Sequence, residues 1–157
     1  MTRQVKTYNP NHVFVDTNVL IGAYSGDARY QTDSDCLHYL YSIVGKRLYI
    51  STLSVAQLIS VYQKRKTNDE IRAIVRELQH RFTIIRSNSV RLQGKNFTVK
   101  DIDAALNQTG ADIEDNVQFV LARKQKCRVI ITNNYKDYRL LLGAQIIKPA
   151  KVRTIAR

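Results

Sequence analysis

Cysteine is scarce, tryptophan is absent, and no apolar stretch approaches the roughly 20 residues that a membrane-spanning helix needs. The two cysteines, Cys36 and Cys127, match no zinc-site spacing and supply no disulfide framework. Both read as reduced structural thiols, Cys127 just before an apolar strand-like run where buried thiols are common. The opening Met1-Thr2-Arg3-Gln4-Val5-Lys6 lacks the apolar core of a signal peptide. These absences predict a cytoplasmic protein with no membrane association. Low-complexity runs and fixed-period repeats are missing as well. So are a Gly-x-Ser-x-Gly elbow, a Walker loop and a dinucleotide fingerprint, and His12, His38 and His80 are scattered. Acid is also absent over a long stretch. None occurs between Glu77 and Asp101, where Arg81, Arg86, Arg91, Lys95 and Lys100 stand.

What is present is positive charge. Lys and Arg number 25 against 13 acids, a formal net charge of +12. Lys64-Arg65-Lys66 forms one cluster, Arg123, Lys124, Lys126 and Arg128 another, and Lys148, Lys151, Arg153 and Arg157 crowd the end of the chain. Such a field favours polyanions, of which nucleic acid is the commonest. A merely soluble, solvated surface is the alternative. A chain of 157 residues fits one domain. A domain of that size buries roughly 70% of the surface its unfolded chain exposes, so a core is possible without disulfides. We expect a single domain over residues 1–157, with a core of about 12–148 and a basic tail at 149–157.

Hydrophobic periodicity gives the order of elements. Val13-Phe14-Val15 is a short β-prone run, ending in Asp16-Thr17-Asn18, whose side chains suit a turn and a helix N-cap. A short helix through Val19, Leu20, Ile21 and Ala23 follows. Cys36, Leu37, Leu40, Tyr41 and Val44 predict a helix over 32–44, with Gly45 as its stop. Leu48-Tyr49-Ile50 is the second strand. Ser51 or Thr52 can cap a helix that buries Val55, Leu58, Ile59 and Tyr62. Asn68 can cap another, with Ile71, Ile74, Val75 and Leu78 facing inward. Residues 82–85 read as the third strand, 89–106 as partly helical, 112–126 as a helix and 128–132 as the fourth strand. A short helix near Tyr138 and a last strand at 144–148 complete the series. Strands alternating with helices predict an α/β fold: a mainly parallel sheet, right-handed crossovers and helices on both faces. In such sheets ligands sit outside the carboxyl ends of the strands.

Carboxylates stand at those ends. Asp16 directly follows the first strand, and Asp137 lies in the loop after the fourth. Asp112, Glu114 and Asp115 sit where a helix begins, a place that also suits acids through the helix dipole. Asp16 and Asp137 could equally serve only as caps. Gathered in one cleft, however, such carboxylates would repel one another. A hard divalent cation such as Mg²⁺ or Mn²⁺ removes that cost. The metal can then activate water against a phosphodiester, while basic clusters hold the phosphate backbone.

Four segments together resemble the motifs of PIN-domain nucleases, in the family's order and spanning residues 13–138. They are Val13-Phe14-Val15-Asp16-Thr17-Asn18-Val19-Leu20, the stretch from Tyr49 through Gln57 to Leu58, Asp112-Ile113-Glu114-Asp115-Asn116-Val117-Gln118, and the stretch from Ile130 to Tyr138. The resemblance implies a three-layer α/β/α sandwich around a parallel sheet. Members of the family include VapC-type toxins, which are Mg²⁺- or Mn²⁺-dependent endoribonucleases, commonly restrained by a small antitoxin protein and often homodimeric. Carried over, Asp16 matches the first metal-binding acid and Asp115 the third. Thr17 and Asn18 match polar residues beside the site, and Thr132 matches the residue closing the last core strand. Gln57 stands where the second motif carries Glu, and Asn134 at the usual fourth acid, with Asp137 three residues on. The expected site is therefore Asp16, Asp115 and Asp137 as catalytic acids, with Asp16 and Asp115 on the metal. Thr17, Asn18, Gln57, Asp112, Thr132 and Asn134 would support them. The amides at 57 and 134 offer oxygen without charge and predict weaker metal binding. The expected function is metal-dependent RNA cleavage, as the toxin of a toxin–antitoxin pair. The alternative is a catalytically degenerate PIN domain that binds RNA or a protein partner without cutting.

Nine tyrosines occur. Tyr24 and Tyr30 flank the loop after the first motif and could stack on bases; ordinary half-buried tyrosines are the plainer expectation.

Overall fold

The computed structural model describes residues 8–85, 113–135 and 143–155. Strand β1 (Asn9–Val15) leads into helix α1 (Thr17–Ala23), a 3₁₀ turn (Ala28–Tyr30) and α2 (Gln31–Ser42). Then come β2 (Arg47–Ser51), α3 (Thr52–Tyr62), α4 (Asn68–Arg81) and β3 (Thr83–Ile85). After residue 112 the chain continues with α5 (Ile113–Lys124), β4 (Cys127–Ile131), β5 (Gln145–Ile147) and a 3₁₀ segment (Pro149–Thr154). The expected helical stretch 89–106 and the short helix near Tyr138 lie outside the described residues.

The five strands form one sheet in the order β3-β2-β1-β4-β5, and every pairing is parallel. The chain moves outward from β1 through β2 to β3, then returns to β1's other side with β4 and β5. The order therefore reverses between β1 and β4, and a crevice opens at such a reversal, beyond the carboxyl ends of the strands. Side chains alternate along the strands as a pleated sheet requires. Val13, Val15, Leu48, Ile50, Val129 and Ile131 join one core cluster with α1 to α4. Phe14, Tyr49 and Ile130 face the other way and pack with Phe119, Val120, Leu121 and Ala122 of α5. These are the three layers of an α/β/α sandwich, and the strands carry near-continuous apolar runs because both faces are covered.

The helix ends differ from expectation at three places. The cap of α4 is Thr67, not Asn68: Thr67 Oγ1 accepts from Glu70 N at 3.3 Å, and Glu70 Oε2 accepts from Thr67 N at 2.7 Å. This reciprocal box satisfies two backbone donors, which Asn68 could not do without a matching acid three residues on. Helix α2 ends at Ser42 rather than 44; Ile43 is buried and Val44 is 92% exposed. The chain leaves the helix at Ile43 in extended conformation and turns at Gly45, whose φ of +83° suits glycine. Phe82 closes α4 and is not part of β3.

The segment expected as a basic tail extends the core. Val152 and Ile155 are buried in the larger cluster. Tyr39 of α2 donates its hydroxyl to the Ile155 carbonyl at 3.0 Å, and the Arg153 guanidinium lies 5.0 Å from the Tyr39 ring. Its lysines and arginines reach solvent while their backbone is pinned against α2. Among the described residues no helix is long and apolar enough to cross a membrane.

Candidate active site

Asp16 sits at the reversal point. Its backbone N–H donates to Ile131 O at 2.9 Å, so β1 and β4 stay paired up to the residue that carries the carboxylate. The side chain caps α1: Oδ1 accepts from Thr17 N at 2.8 Å. Oδ2 accepts from Thr132 Oγ1 at 2.8 Å and from Asn18 Nδ2 at 3.1 Å. Asp16 is 3% exposed. A buried carboxylate is tolerable only with such donors around it, and together they fix its orientation. Thr132 is held in turn, its hydroxyl accepting from Asn134 N at 2.9 Å.

A second polar network adjoins the first. Gln118 of α5 is buried; its Nε2 donates to Thr17 Oγ1 at 3.1 Å and to Ser54 Oγ at 2.9 Å. Its Oε1 accepts from Ser51 Oγ at 2.7 Å, and Ser51 Oγ also accepts from Ser54 N as the cap of α3. Thr17 Oγ1 donates to Gln57 Oε1 at 2.8 Å and lies 2.8 Å from Ser54 Oγ. Every hydroxyl and amide in this cluster has a partner, which lets it stay in the core. It also ties α1, α3 and α5 together behind the strand ends.

The networks back a cleft of about 420 Å³. It is lined by Asp16, Thr17, Asn18, Gln57, Asp115 and Asn134 among the expected residues, and by Gln118, Ile21, Ser60 and Val61. Thr132 sits behind Asp16 instead of lining the cleft. Asp112 and Asp137 lie outside the described residues. Among the described residues no three acids, thiols and imidazoles gather as a ready ligand set. Among the described residues, the carboxylates lining this cleft are Asp16 and Asp115, accompanied by amides.

Two residues escaped the sequence reading. Gln118 closes the third family-like segment but was given no role there; its position between Val117 and Phe119 is the only local signal that it is buried. Asp33, in the first turn of α2, is 4% exposed and accepts from Asn133 Nδ2 at 3.0 Å through Oδ1. Burial raises its pKa above the ordinary carboxylate value, and the Asn133 hydrogen bond opposes that shift. Asn133 N also donates to Asn18 Oδ1 at 3.2 Å, so Asp33 connects to Asp16 through Asn133 and Asn18. Space for Asp33 comes from Gly22, where an added Cβ would lie 1.9 Å from Asp33 Oδ2.

Gly22→Ala is therefore expected to destabilise the protein by about 1–3 kcal/mol through overpacking. In an Asp33→Ala background the same change is expected to be neutral or stabilising, since Ala exceeds Gly inside a helix by about 0.5–1 kcal/mol. Urea unfolding of the four proteins measures this; equal losses in both backgrounds would mean that the space at Gly22 does not serve Asp33.

A model described as "PIN domain" matches residues 12–136. The chain belongs to the PIN-domain family. The matched segment begins in β1 and ends just past Asn134, so it contains the whole cleft as described. Solved structures share the fold at low identity. VapBC2 from Rickettsia felis, bound to a DNA fragment from its promoter, is 16% identical with a TM-score of 0.57, over 87% of this chain and 98% of that one. VapC20 of Mycobacterium tuberculosis, a toxin that cleaves the sarcin–ricin loop, is 14% identical with a TM-score of 0.54, over 75% of this chain and 86% of that one. FitAcB from Neisseria gonorrhoeae is 13% identical with a TM-score of 0.56, over 87% and 97%. No curated protein sequence matches the chain.

Proposed function

We propose that this PIN domain is a metal-dependent endoribonuclease acting as the toxin of a toxin–antitoxin pair. The observation that carries the reading is Asp16, a buried carboxylate held by Thr17, Asn18 and Thr132 at the sheet's reversal point, in one cleft with Asp115. The donor set is oxygen-rich and hard: carboxylates and amide carbonyls, with no thiol or imidazole among the described residues lining the cleft. Such a set suits Mg²⁺ or Mn²⁺ and not a softer ion. Asp16 and Asp115 would hold it, with the Gln57 and Asn134 amides beside them. A bound ion of this kind would polarise a phosphoryl oxygen and lower the pKa of an attacking water. The chain's own residues do the positioning. Thr132 and Asn18 keep the Asp16 carboxylate aimed, and the Gln118 network keeps Thr17 and Gln57 in place. Arg65, with Lys64 and Lys66 in the turn that follows α3, would draw the phosphate backbone towards the cleft. VapC20 is a sarcin–ricin loop cleaving toxin and VapBC2 was solved bound to a fragment of its promoter DNA; their shared fold supports an RNA substrate and a small antitoxin partner here.

One observation favours the non-cutting reading: the Gln57 amide oxygen accepts from Thr17, and Gln57 itself supplies no charge where the family's second motif carries an acid. The deciding experiment incubates labelled single-stranded RNA with the protein and Mn²⁺ or Mg²⁺, beside Asp16→Ala. Cleavage that needs metal and disappears in the variant is expected. Cleavage surviving the substitution, or none at all with RNA still bound, would reject catalysis at this cleft.

A further inference from the structure

A second pocket, of about 450 Å³, opens beside the cleft and shares Asn18 and Ile21 with it as a common wall. Asp33 lines it, buried at 4% exposure. Its Oδ1 takes the Asn133 amide, while Oδ2 has no hydrogen-bond donor among the described residues. Nor does any described lysine or arginine pair with it. A buried carboxylate without a cation is costly, and the fold removes a side chain at Gly22 to accommodate it. An exposed aromatic and two cations edge the same pocket. Tyr30 is 45% exposed, with the Arg29 guanidinium 5.8 Å from its ring and paired with Asp27 at 2.6 Å, and Arg65 lines the pocket with them. Tyr24, the other tyrosine of this loop, is not available in the same way. Its hydroxyl is 3.0 Å from that of Tyr41, and burial raises its pKa.

We propose that this pocket seats one base of the RNA strand whose backbone passes through the cleft, and that it selects a base bearing an exocyclic amino group. This rests on the RNA reading above. Tyr30 offers a stacking face, Asp33 Oδ2 accepts from the amino group, and Arg65 meets the adjoining phosphate. Adenine, cytosine and guanine each carry the required donor. Uracil offers only its N3–H, and the two carbonyl oxygens that flank it repel the carboxylate and weaken that bond. A cationic protein segment would also suit Asp33, but Arg65 at the rim, with Lys64 and Lys66 beside it in the chain, disfavours a cation and favours a phosphate.

The test is fluorescence-anisotropy binding of labelled decamers of A, C and U without divalent metal, for the parent, Tyr30→Ala and Asp33→Asn, with thermal melts as a check on folding. The parent is expected to bind A and C decamers about tenfold more tightly than U. Tyr30→Ala should weaken all three about tenfold, by loss of stacking. Asp33→Asn should level the preference, because Asn133 holds the oxygen and the new amide presents a donor in place of Oδ2. Unchanged affinity in Tyr30→Ala together with unchanged preference in Asp33→Asn would overturn the base pocket and leave the RNA reading standing. Failure of the parent to bind any decamer would remove both. An Asp33→Asn effect confined to a labelled Arg-Gly repeat peptide would also overturn the base pocket, assigning it to a protein partner.

Discussion

Asp16→Asn is expected to lower metal-dependent RNA cleavage by at least about 100-fold while the domain still folds. Loss of a residue that merely orients a metal ligand typically costs 10–100-fold, and Asp16 is proposed as the ligand itself. Asparagine can still cap α1, since it ranks with aspartate at that position. What it cannot do is accept at both arms. Oδ2 now takes hydrogen bonds from Thr132 and Asn18, and an amide nitrogen there would meet two donors. Asn18 is not free to turn over, because its own oxygen accepts from Asn133 N. We therefore expect a stability loss of about 1–3 kcal/mol from the misplaced donors, read by urea unfolding. Isothermal titration with Mn²⁺ should show binding in the parent and little in the variant. A variant that binds Mn²⁺ and cuts RNA as the parent does would place the chemistry elsewhere.

Gln57→Glu is expected to act in opposite directions with and without metal. The side chain already lies in the cleft beside Asp16 and Asp115, its oxygen anchored by the Thr17 hydroxyl at 2.8 Å. A glutamate would keep that bond and add a negative charge. Without metal, the added repulsion should lower the melting temperature; each kcal/mol corresponds to roughly 2–4 °C for a domain of this size. With Mn²⁺ the charge becomes an asset, because hard-cation affinity rises with ligand charge. A gain of at least about tenfold in affinity is expected. At a concentration of about 100 times the dissociation constant, the ion should stabilise the fold by about 2.7 kcal/mol. If the parent is inert and this variant cuts RNA, Gln57 is the reason for the inertness. If Mn²⁺ shifts neither melting temperature, the cleft is not a cation site.

Much of the fold was legible because strand and helix periods are local. Val13-Phe14-Val15 and Arg128-Val129-Ile130-Ile131 are strand-like by residue type alone, and Asp16 follows the first of them by one peptide bond. The carboxyl-end rule then pointed to the edge of the sheet where the cleft beside Asp16 lies. Errors arose where a local rule had two candidates. Thr67 and Asn68 are both good caps, and only the geometry of Glu70 chose between them. Val44 fitted the helical spacing, yet the chain had already left the helix at Ile43.

Asp33 and Gln118 were illegible for a different reason. In sequence Asp33 belongs to Thr32-Asp33-Ser34-Asp35, which reads as the solvated first turn of a helix. It becomes buried only because α2 packs on α1 at Gly22 and because Asn133, 100 positions later, reaches its carboxylate. Gln118 meets Thr17, Ser51 and Ser54 from across the sheet, through contacts 101, 67 and 64 residues apart.

The sequence by itself determined the element types, the alternation that makes a parallel α/β sheet, the basic charge and the position of Asp16, because each depends on neighbours within a few residues. The strand order, with its reversal between β1 and β4, was decided only by the tertiary structure, and so was the meeting of Asp16, Gln57 and Asp115 in one cleft. The pocket behind Asp33 belongs to that second group. Those features depend on which faces pack together across the whole chain, and no local pattern encodes that.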